Sequence, residues 1–239
     1  MSNEHTDFFI EHGYLRLPGF HPGSRMMAIR RKVIDEVKRL PGGGIPRAVR
    51  DLPVFQQIGK LSARVNVPGL HETLVTAPLI DLVTRLGRHA PFIVQPTQLL
   101  LSPPSQGAWT LSGLNWHVDV ASAQDRIPGI QAFFLVDEVA PRGGATLALA
   151  GSHRVGGPGS PSAGQLRGLL REATELGPLR NGQGTSIIEM SGRAGDVFLM
   201  DMRLLHTPSI NATKSMRMMA TSRCLMEVGH GDAAWKVPL

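Results

Sequence analysis

Seven short apolar runs fill the sequence after about residue 95, and Pro, Gly and Asn residues stand between them. They are TQLLLS, LNWHVDVA, IQAFFLVDEV, ATLALAGS, TSIIEMS, DVFLMDMRLLH and MRMMATSRCLMEV. Short runs of this kind, bounded by turn-forming residues, are typical of β-strands. Seven of them in close succession predict an all-β sandwich or barrel.

The sequence before about residue 95 has a different period, in which apolar residues recur every three or four positions. Met26, Ile29 and Val33 follow this spacing, and so do the leucines of PLIDLVTRLG at 78–87. The spacing predicts amphipathic helices. One more helix is predicted over about residues 163–176, where it interrupts the β-rich half.

The 239 residues show no repeat, low-complexity tract or linker, so we predict a single domain over 1–239. It should have a mainly helical part at 1–94 and a β-rich core at 95–229 that carries an insertion at 155–185. The N-terminus lacks the basic and apolar segments of a signal peptide, and no apolar run approaches a membrane span. Because Cys224 is the only cysteine, no intramolecular disulfide can form. We therefore expect a cytoplasmic protein with no membrane partner.

The net charge of +6 comes from basic residues that are spread along the chain. No basic stripe interleaved with aromatic residues and no known reader motif accompanies them, so we expect no nucleic-acid partner. An anionic small substrate suits this charge as well. The oligomeric state is not indicated by the sequence.

His117 and Asp119 stand two residues apart in the run LNWHVDVA. Side chains at i and i+2 of a strand point to the same face. A histidine and its neighbouring aspartate are more often a structural hydrogen-bonded pair, so these two residues alone do not identify a metal site. His206 adds a third ligand type where an apolar run meets a turn, and two imidazoles with one carboxylate suit non-haem Fe(II). We predict that these three residues, here called the triad, bind iron.

Arg217 follows a segment, residues 208–213, whose Pro, Ser, Asn and Thr residues mark a turn. We predict an antiparallel hairpin folded near Asn211, which would bring Arg217 beside the strand that ends in His206. Alternation would place Met219, Thr221 and Arg223 on the same face as Arg217, which we take to be the barrel interior. A buried arginine there needs an anion, either a ligand carboxylate or a protein carboxylate.

Several segments, in this order, resemble the phytanoyl-CoA dioxygenase (PhyH)-like branch of the Fe(II)- and 2-oxoglutarate-dependent dioxygenases. FFIEHGYLRLPGF at 8–20 is similar to the opening helix and strand of that branch, and LVDEVAPRGGATLALAGSHR at 135–154 is similar to its central hairpin and GSH segment. The HxD at 117–119 and HTPSINATKSMR at 206–217 match its metal motif, distal histidine and arginine. The resemblance spans nearly the whole chain. It implies a double-stranded β-helix, a cupin-like jelly roll, with N-terminal helices against one of two antiparallel sheets.

The same resemblance implies roles for individual residues. The triad falls on the iron ligands, and Arg217 falls on the residue that pairs with the far carboxylate of 2-oxoglutarate. Gln98 falls where the family often contacts this cosubstrate, and Phe133 falls where many relatives carry a tryptophan that lines its pocket. Pro208 departs from the pattern, because some relatives have a cosubstrate-binding serine at that position.

The implied activity is hydroxylation of an unactivated C–H bond with Fe(II), 2-oxoglutarate and O₂, with release of succinate and CO₂. The expected substrate is a small or medium-sized metabolite, such as an amino acid or a natural-product intermediate. Trp116, Asn115 and Arg223 are candidates for contact with it. The segments 40–75 and 155–185 are expected to form the lid, because loops carry specificity on a rigid scaffold.

Three alternatives stay open from the sequence. The same iron chemistry can end in desaturation, cyclisation, epimerisation or ring expansion. A cupin-like metal-binding protein or isomerase with another divalent metal is a different class, although it would not need Arg217 or Gln98. A basic nucleic-acid-binding module is the third. Related halogenases carry a small residue where Asp119 stands, so we expect no halogenation.

Overall fold

The computed structural model describes residues 3–121, 126–154, 163–179 and 184–226. Its helices are α1 (Asn3–His12), α2 (Gly23–Arg39), α3 (Arg47–Arg50), α4 (Val54–Ser62), α5 (Leu70–Leu74), α6 (Ala77–Gly87) and α7 (Ala163–Glu172), with a 3₁₀ turn at Ser152–Arg154. The two helices predicted from their apolar spacing are confirmed as α2 and α6. Within the described ranges, no helix is both long and apolar enough to cross a membrane.

Two antiparallel sheets form the centre of the fold, which confirms the predicted jelly-roll class with flanking helices. The strands are β1 (Tyr14–Leu17), β2 (Ile93–Val94), β3 (Gln98–Ser102), β4 (Gly129–Leu135), β5 (Thr146–Ala150), β6 (Gly177–Pro178), β7 (Ser186–Glu189), β8 (Val197–Asp201), β9 (His206–Pro208) and β10 (Arg217–Leu225). The large sheet has the order β1-β8-β4-β10-β2, with β3 also paired to β10. The small sheet has the order β6-β7-β5-β9.

Alternation along the strands separates two faces of the large sheet. Phe134 and Ala220 pack among the residues of the N-terminal helices, whereas Phe133 and Met219 pack against Ala148 of the small sheet. The second group is therefore the barrel interior, between the two sheets. Side chains from the other face of the small sheet pack against α7 in a third cluster. This packing agrees with the predicted interior face of β10, which carries Arg217, Met219, Thr221 and Arg223.

The run LNWHVDVA was expected to be a strand, and that prediction is wrong. In this segment only His117 pairs with another strand residue, through an isolated antiparallel bridge to His206. The backbone N–H groups of Asp119 and Val120 both donate instead to the Met202 carbonyl, at 3.1 Å in each case. The segment is an irregular extended strip beside the β8–β9 connection.

The run DVFLMDMRLLH is not one strand but two, β8 in the large sheet and β9 in the small sheet. Asp201 ends β8, because its Oδ1 accepts the backbone N–H of Arg203 at 2.9 Å and so closes a turn. The predicted hairpin around Asn211 is also wrong. β9 pairs with β5, whereas β10 pairs with β3 and β4, so residues 209–216 cross between sheets.

The crossing at residues 209–216 depends on Asn211, which is fully buried. Its side-chain nitrogen donates to the Ser215 carbonyl at 2.8 Å, and its oxygen accepts the Thr213 hydroxyl at 2.7 Å. The segment 135–154, expected to hold a hairpin, is likewise a crossover, because β4 and β5 lie in different sheets. The insertion helix ends at Glu172 rather than at residue 176.

Asp196, directly before β8, connects two residues of the N-terminal region to the large sheet and also closes a local turn. Its carboxylate accepts from the Arg16 guanidinium at 2.8 Å, from the Gly19 N–H at 2.8 Å and from the Arg193 N–H at 3.2 Å. Burial alone would raise the pKa of Asp196, but these hydrogen bonds outweigh it and hold the pKa below its ordinary value. The ionised carboxylate therefore stabilises the fold.

Replacing Asp196 by alanine is expected to lower the free energy of unfolding by about 1–3 kcal/mol at neutral pH, because buried N–H donors lose their acceptor. A group with a lowered pKa contributes stability above its ordinary pKa and loses it as the pH falls through the lowered one. The difference between wild type and variant should thus shrink below about pH 4. Urea unfolding at several pH values measures this. Asp81→Ala, at an exposed helix position, is the control, and an equal effect there would contradict the prediction.

Candidate active site

The triad comes together in the fold, although its three members lie on two separate segments. His117 and His206 face each other across their bridge, which has N–H to O distances of 3.0 and 2.9 Å. Their ring centroids are 4.3 Å apart. One ligand atom from each of these residues and one from Asp119 lie within 4.8 Å of one another. This spacing suits a single metal ion.

Both imidazoles are oriented by backbone carbonyls. The Nδ1 atom of His117 lies 3.1 Å from the Asn115 carbonyl oxygen, and the Nδ1 atom of His206 lies 3.0 Å from that of Leu204. Since a carbonyl only accepts, Nδ1 carries the hydrogen in both rings and Nε2 keeps its lone pair. A backbone partner of this kind fixes the tautomer and the orientation of a metal-binding histidine.

Burial lowers the pKa of His206 to about 4, an effect that the Asp119 carboxylate only partly offsets. The ring is therefore neutral at physiological pH. A neutral imidazole is the form that binds a metal ion.

Asp119 has a buried oxygen, Oδ2, that has no hydrogen-bond partner among the described residues. It lies 3.9 Å from His206 Nε2 and 3.6 Å from the Nε of Arg223. Buried carboxylate oxygens without a hydrogen bond are rare in proteins and call for an explanation such as a bound ion. A divalent cation between Asp119 and the two imidazoles supplies that explanation.

Arg217 is a buried cation, 3% exposed, at the start of β10. Its Nε and Nη2 atoms have no hydrogen-bond partner, and no carboxylate of the described residues pairs with it. Its Nη1 lies 3.3 Å from the Met219 sulfur. Burial lowers the pKa of Arg217 to about 10, so the guanidinium stays charged at neutral pH. A buried charge without a partner is costly, and a planar anion would satisfy the two free N–H groups.

Gln98 is the first residue of β3, and its neighbour across the strand pair is Thr221 of β10. Its side chain is exposed to a cavity of about 750 Å³ between this strand and the segment from α4 to α5. Polar groups of Asn66, His71 and Glu72 also line this cavity. Residues of the predicted lid segment 40–75 thus border an open space beside the barrel.

The other predicted site residues lie at different distances from the triad. Phe133 is buried between the sheets, in the same cluster as Met219. Trp116 packs under α7 with Leu147 and other residues of the outer face of the small sheet, so its ring lies outside the barrel interior. The Asn115 side chain is exposed, and its backbone carbonyl is what holds His117.

One interior polar residue, Gln131, was missed by the sequence prediction, and it lies beside Arg223. Gln131 is the neighbour of Arg223 across the β4–β10 pair, and its Nε2 donates to the Thr221 hydroxyl at 2.9 Å. Both side chains are buried. The sequence did contain an indication of Gln131. It is a polar residue in the apolar run IQAFFLV, two positions before Phe133 and therefore on the same face of the strand.

These observations together fit a bound divalent metal and a bound dicarboxylate. The triad offers two imidazole nitrogens and one carboxylate oxygen without a hydrogen bond, which is the donor set suited to Fe(II). Arg217 offers a charged guanidinium, with two N–H-bearing atoms free of hydrogen bonds, on the interior face of the same barrel. The arrangement can hold a metal and an anion at once.

Comparison with known protein families matches residues 9–219 to a family described as phytanoyl-CoA dioxygenase (PhyH). A comparison with curated protein sequences finds no match.

The fold is similar to solved structures of low sequence identity. AviO1 from Streptomyces viridochromogenes Tue57 is 16% identical, with a TM-score of 0.61 and coverage of 98% of both chains. EctD from S. alaskensis, solved with 2-oxoglutarate and 5-hydroxyectoine, is 19% identical, with a TM-score of 0.63 over 94% of this chain and 76% of that one. The epimerase SnoN, solved with Fe3+, alpha ketoglutarate and nogalamycin RO, is 14% identical, with a TM-score of 0.58 over 98% and 92%.

Proposed function

The chain belongs to the phytanoyl-CoA dioxygenase family, and we propose that the triad binds the Fe(II) of this enzyme and that Arg217 binds 2-oxoglutarate. The family match covers most of the chain, which makes the protein a 2-oxoglutarate-dependent non-haem iron dioxygenase. We further propose that the enzyme hydroxylates an unactivated C–H bond of a small or medium-sized metabolite and releases succinate and CO₂.

The observation that carries the metal assignment is the buried Oδ2 of Asp119, which has no hydrogen bond among the described residues and lies near two oriented imidazoles as well as Arg223. Asp119 would bind through this oxygen, and each histidine through Nε2. When bound, Fe(II) and 2-oxoglutarate supply the oxidising power, so the task of the protein is to position them. The carbonyls of Asn115 and Leu204 keep both rings ready for the metal without rearrangement.

Arg217 would bind the far carboxylate of 2-oxoglutarate through Nε and Nη2, which are free and lie on one edge of the guanidinium. The sequence left open a structural ion pair with a protein carboxylate. The described residues contain no such pair, which favours the cosubstrate. Pro208 has no side-chain donor, so a second contact of the kind that a serine makes is missing at that position.

The cavity beside Gln98 has room for a substrate of modest size, although no residue of the triad lines it. Its volume of about 750 Å³ lies in the range of roughly 300–1,000 Å³ that is usual for small-molecule pockets. Of the structurally similar proteins, EctD was solved with 5-hydroxyectoine and SnoN with nogalamycin RO. The first compound carries a hydroxyl group and the second protein is an epimerase, so hydroxylation and epimerisation are the two outcomes to compare for this chain.

Release of succinate from 2-oxoglutarate, measured with and without Fe(II), tests the proposed function. We expect iron-dependent release that increases when the substrate is present, and a gain of one oxygen by that metabolite in mass spectrometry. A stimulated release with no gain of mass would favour desaturation, cyclisation or epimerisation. No iron-dependent release under any condition would favour a metal-binding protein of another kind.

The wild-type enzyme is expected to give no chlorinated product in chloride buffer. Related halogenases have a small residue at the position of Asp119, which leaves a coordination position for chloride. Asp119 would fill that position as the third protein ligand. Mass spectrometry of reactions in chloride and in chloride-free buffer measures this. A product with the isotope pattern of chlorine would contradict the assignment of Asp119 as a ligand.

A further inference from the structure

Gln131 has a side-chain oxygen that the fold leaves without a partner. The residue is 3% exposed, and its Oε1 is buried with no hydrogen-bond donor among the described residues. Six other side chains of the described residues share this condition. Two of them, Asp119 and Arg217, are the groups for which the proposed iron and cosubstrate supply the missing partner.

The orientation of the Gln131 amide follows from the hydrogen-bond donors around it. The Thr221 hydroxyl donates to the Ala132 carbonyl at 2.9 Å, and its one hydrogen is used there. Its oxygen can then only accept, so the group of Gln131 that faces it at 2.9 Å must be the NH₂. This fixes the amide and leaves Oε1 as the free atom, with acceptor character only.

Strand neighbours connect Gln131 both to the triad and to the cavity beside Gln98, although Gln131 itself does not line that cavity. It neighbours Arg223 across the strand pair, and side chains of such pairs are about 5 Å apart at Cβ. Arg223 in turn lies 3.6 Å from Asp119. On the other side, Thr221 neighbours Gln98, which borders the cavity of about 750 Å³. Gln98, Thr221, Gln131 and Arg223 thus form a polar row from the cavity to the triad.

We propose that Gln131 Oε1 accepts a hydrogen bond from the substrate, so that the substrate carries an O–H or N–H donor, as in an alcohol, amine or amide. This inference rests on the proposed iron site, since the row ends at Asp119. A buried acceptor that stays unpaired is unfavourable, and a substrate that lacks the donor would leave it so. The selection for a donor is therefore built into the barrel wall.

A pair of small probes tests this selection. Cyclohexanol and methoxycyclohexane differ in one O–H donor, and their dissociation constants are measured by ligand-observed NMR on the full chain. Wild type is expected to bind the alcohol about tenfold more tightly than the ether, the effect of one neutral hydrogen bond. Gln131→Met keeps the shape and removes the acceptor, so the two constants should become equal.

The matched control is Gln57→Met. Gln57 is also buried, but its amide is fully paired, with the Arg50 and Leu52 carbonyls and with the Gln106 amide, outside the polar row. This variant should keep the preference for the alcohol. If Gln131→Met fails to fold, Thr221→Val replaces it. That change releases the amide from its fixed orientation and should reduce the preference severalfold.

Equal constants in wild type, no binding of either probe, or a preference that survives in Gln131→Met would each overturn the proposal. The measurement needs neither iron nor turnover, so its failure is separate from a failure of the triad. A second series with Mn(II) and 2-oxoglutarate present distinguishes the two. If the preference stands but Mn(II) does not enhance the relaxation of the probe protons, the metal assignment fails and the role of Gln131 in binding remains.

Discussion

His206→Ala is expected to abolish both iron binding and succinate release while the chain stays folded. The substitution removes one of three protein ligands, and the two that remain hold a divalent ion too weakly to keep it at micromolar concentrations. His117→Ala should have the same effect. Iron content after anaerobic loading, together with circular dichroism, measures the two properties separately.

The control for this prediction is His21→Ala. His21 is another buried histidine, 2% exposed, whose pKa burial and the nearby Arg25 also lower to about 4, but it lies away from the triad. This variant can lose stability through its packing but should keep one iron per chain. Iron bound as in wild type by His206→Ala would show that the triad does not hold the metal.

Arg217→Ala is expected to weaken the binding of 2-oxoglutarate by at least about thirtyfold, because truncating one partner of a buried charge pair costs 2–5 kcal/mol. Fe(II) binding should remain nearly unchanged, since Arg217 is not a ligand. Arg217→Lys should recover only part of the affinity, because a point charge cannot form the two parallel hydrogen bonds of a guanidinium. Anaerobic titration with 2-oxoglutarate of Fe(II)-loaded protein gives both constants.

A stability measurement adds an independent test of Arg217. If its charge is unpaired without the cosubstrate, Arg217→Met should raise the unfolding free energy of the ligand-free chain by about 1–4 kcal/mol. Saturating 2-oxoglutarate should then stabilise wild type but not the variant. Arg30→Ala, which breaks an exposed ion pair with Asp137, is the control for loss of a charge. Wild-type affinity in Arg217→Ala would place the cosubstrate anchor elsewhere.

The features that the sequence predicted well are those that depend on period. The apolar spacing in α2 and α6 and the alternation in β10 are local, and each marks which side of an element is buried. That is why the interior position of Arg217 could be predicted although the hairpin used to argue for it does not exist. Its parity depends on β10 alone, whereas the hairpin required knowledge of which sheet each strand joins.

The features that the sequence prediction missed depend on contacts between distant segments. LNWHVDVA alternates like a strand, but its backbone hydrogen bonds go to His206 and Met202 rather than along a ladder. The division of DVFLMDMRLLH into β8 and β9 depends on the turn that Asp201 and Arg203 form. Gln131 was missed for the same reason. Its side-chain oxygen is recognised as lacking a partner only when the Thr221 hydroxyl is known to donate to the Ala132 carbonyl.

Anaerobic titration of the wild-type chain with Fe(II) in the presence of 2-oxoglutarate tests the central claim most directly. The metal-to-ligand charge-transfer band forms only when the cosubstrate chelates a protein-bound iron. We predict that the band appears and saturates at one Fe(II) per chain, and that it is lost in His206→Ala. In Arg217→Ala, a higher concentration of 2-oxoglutarate should be needed to form the band. A chain that binds iron without the band, or a band that persists in His206→Ala, would contradict the assignment of this site.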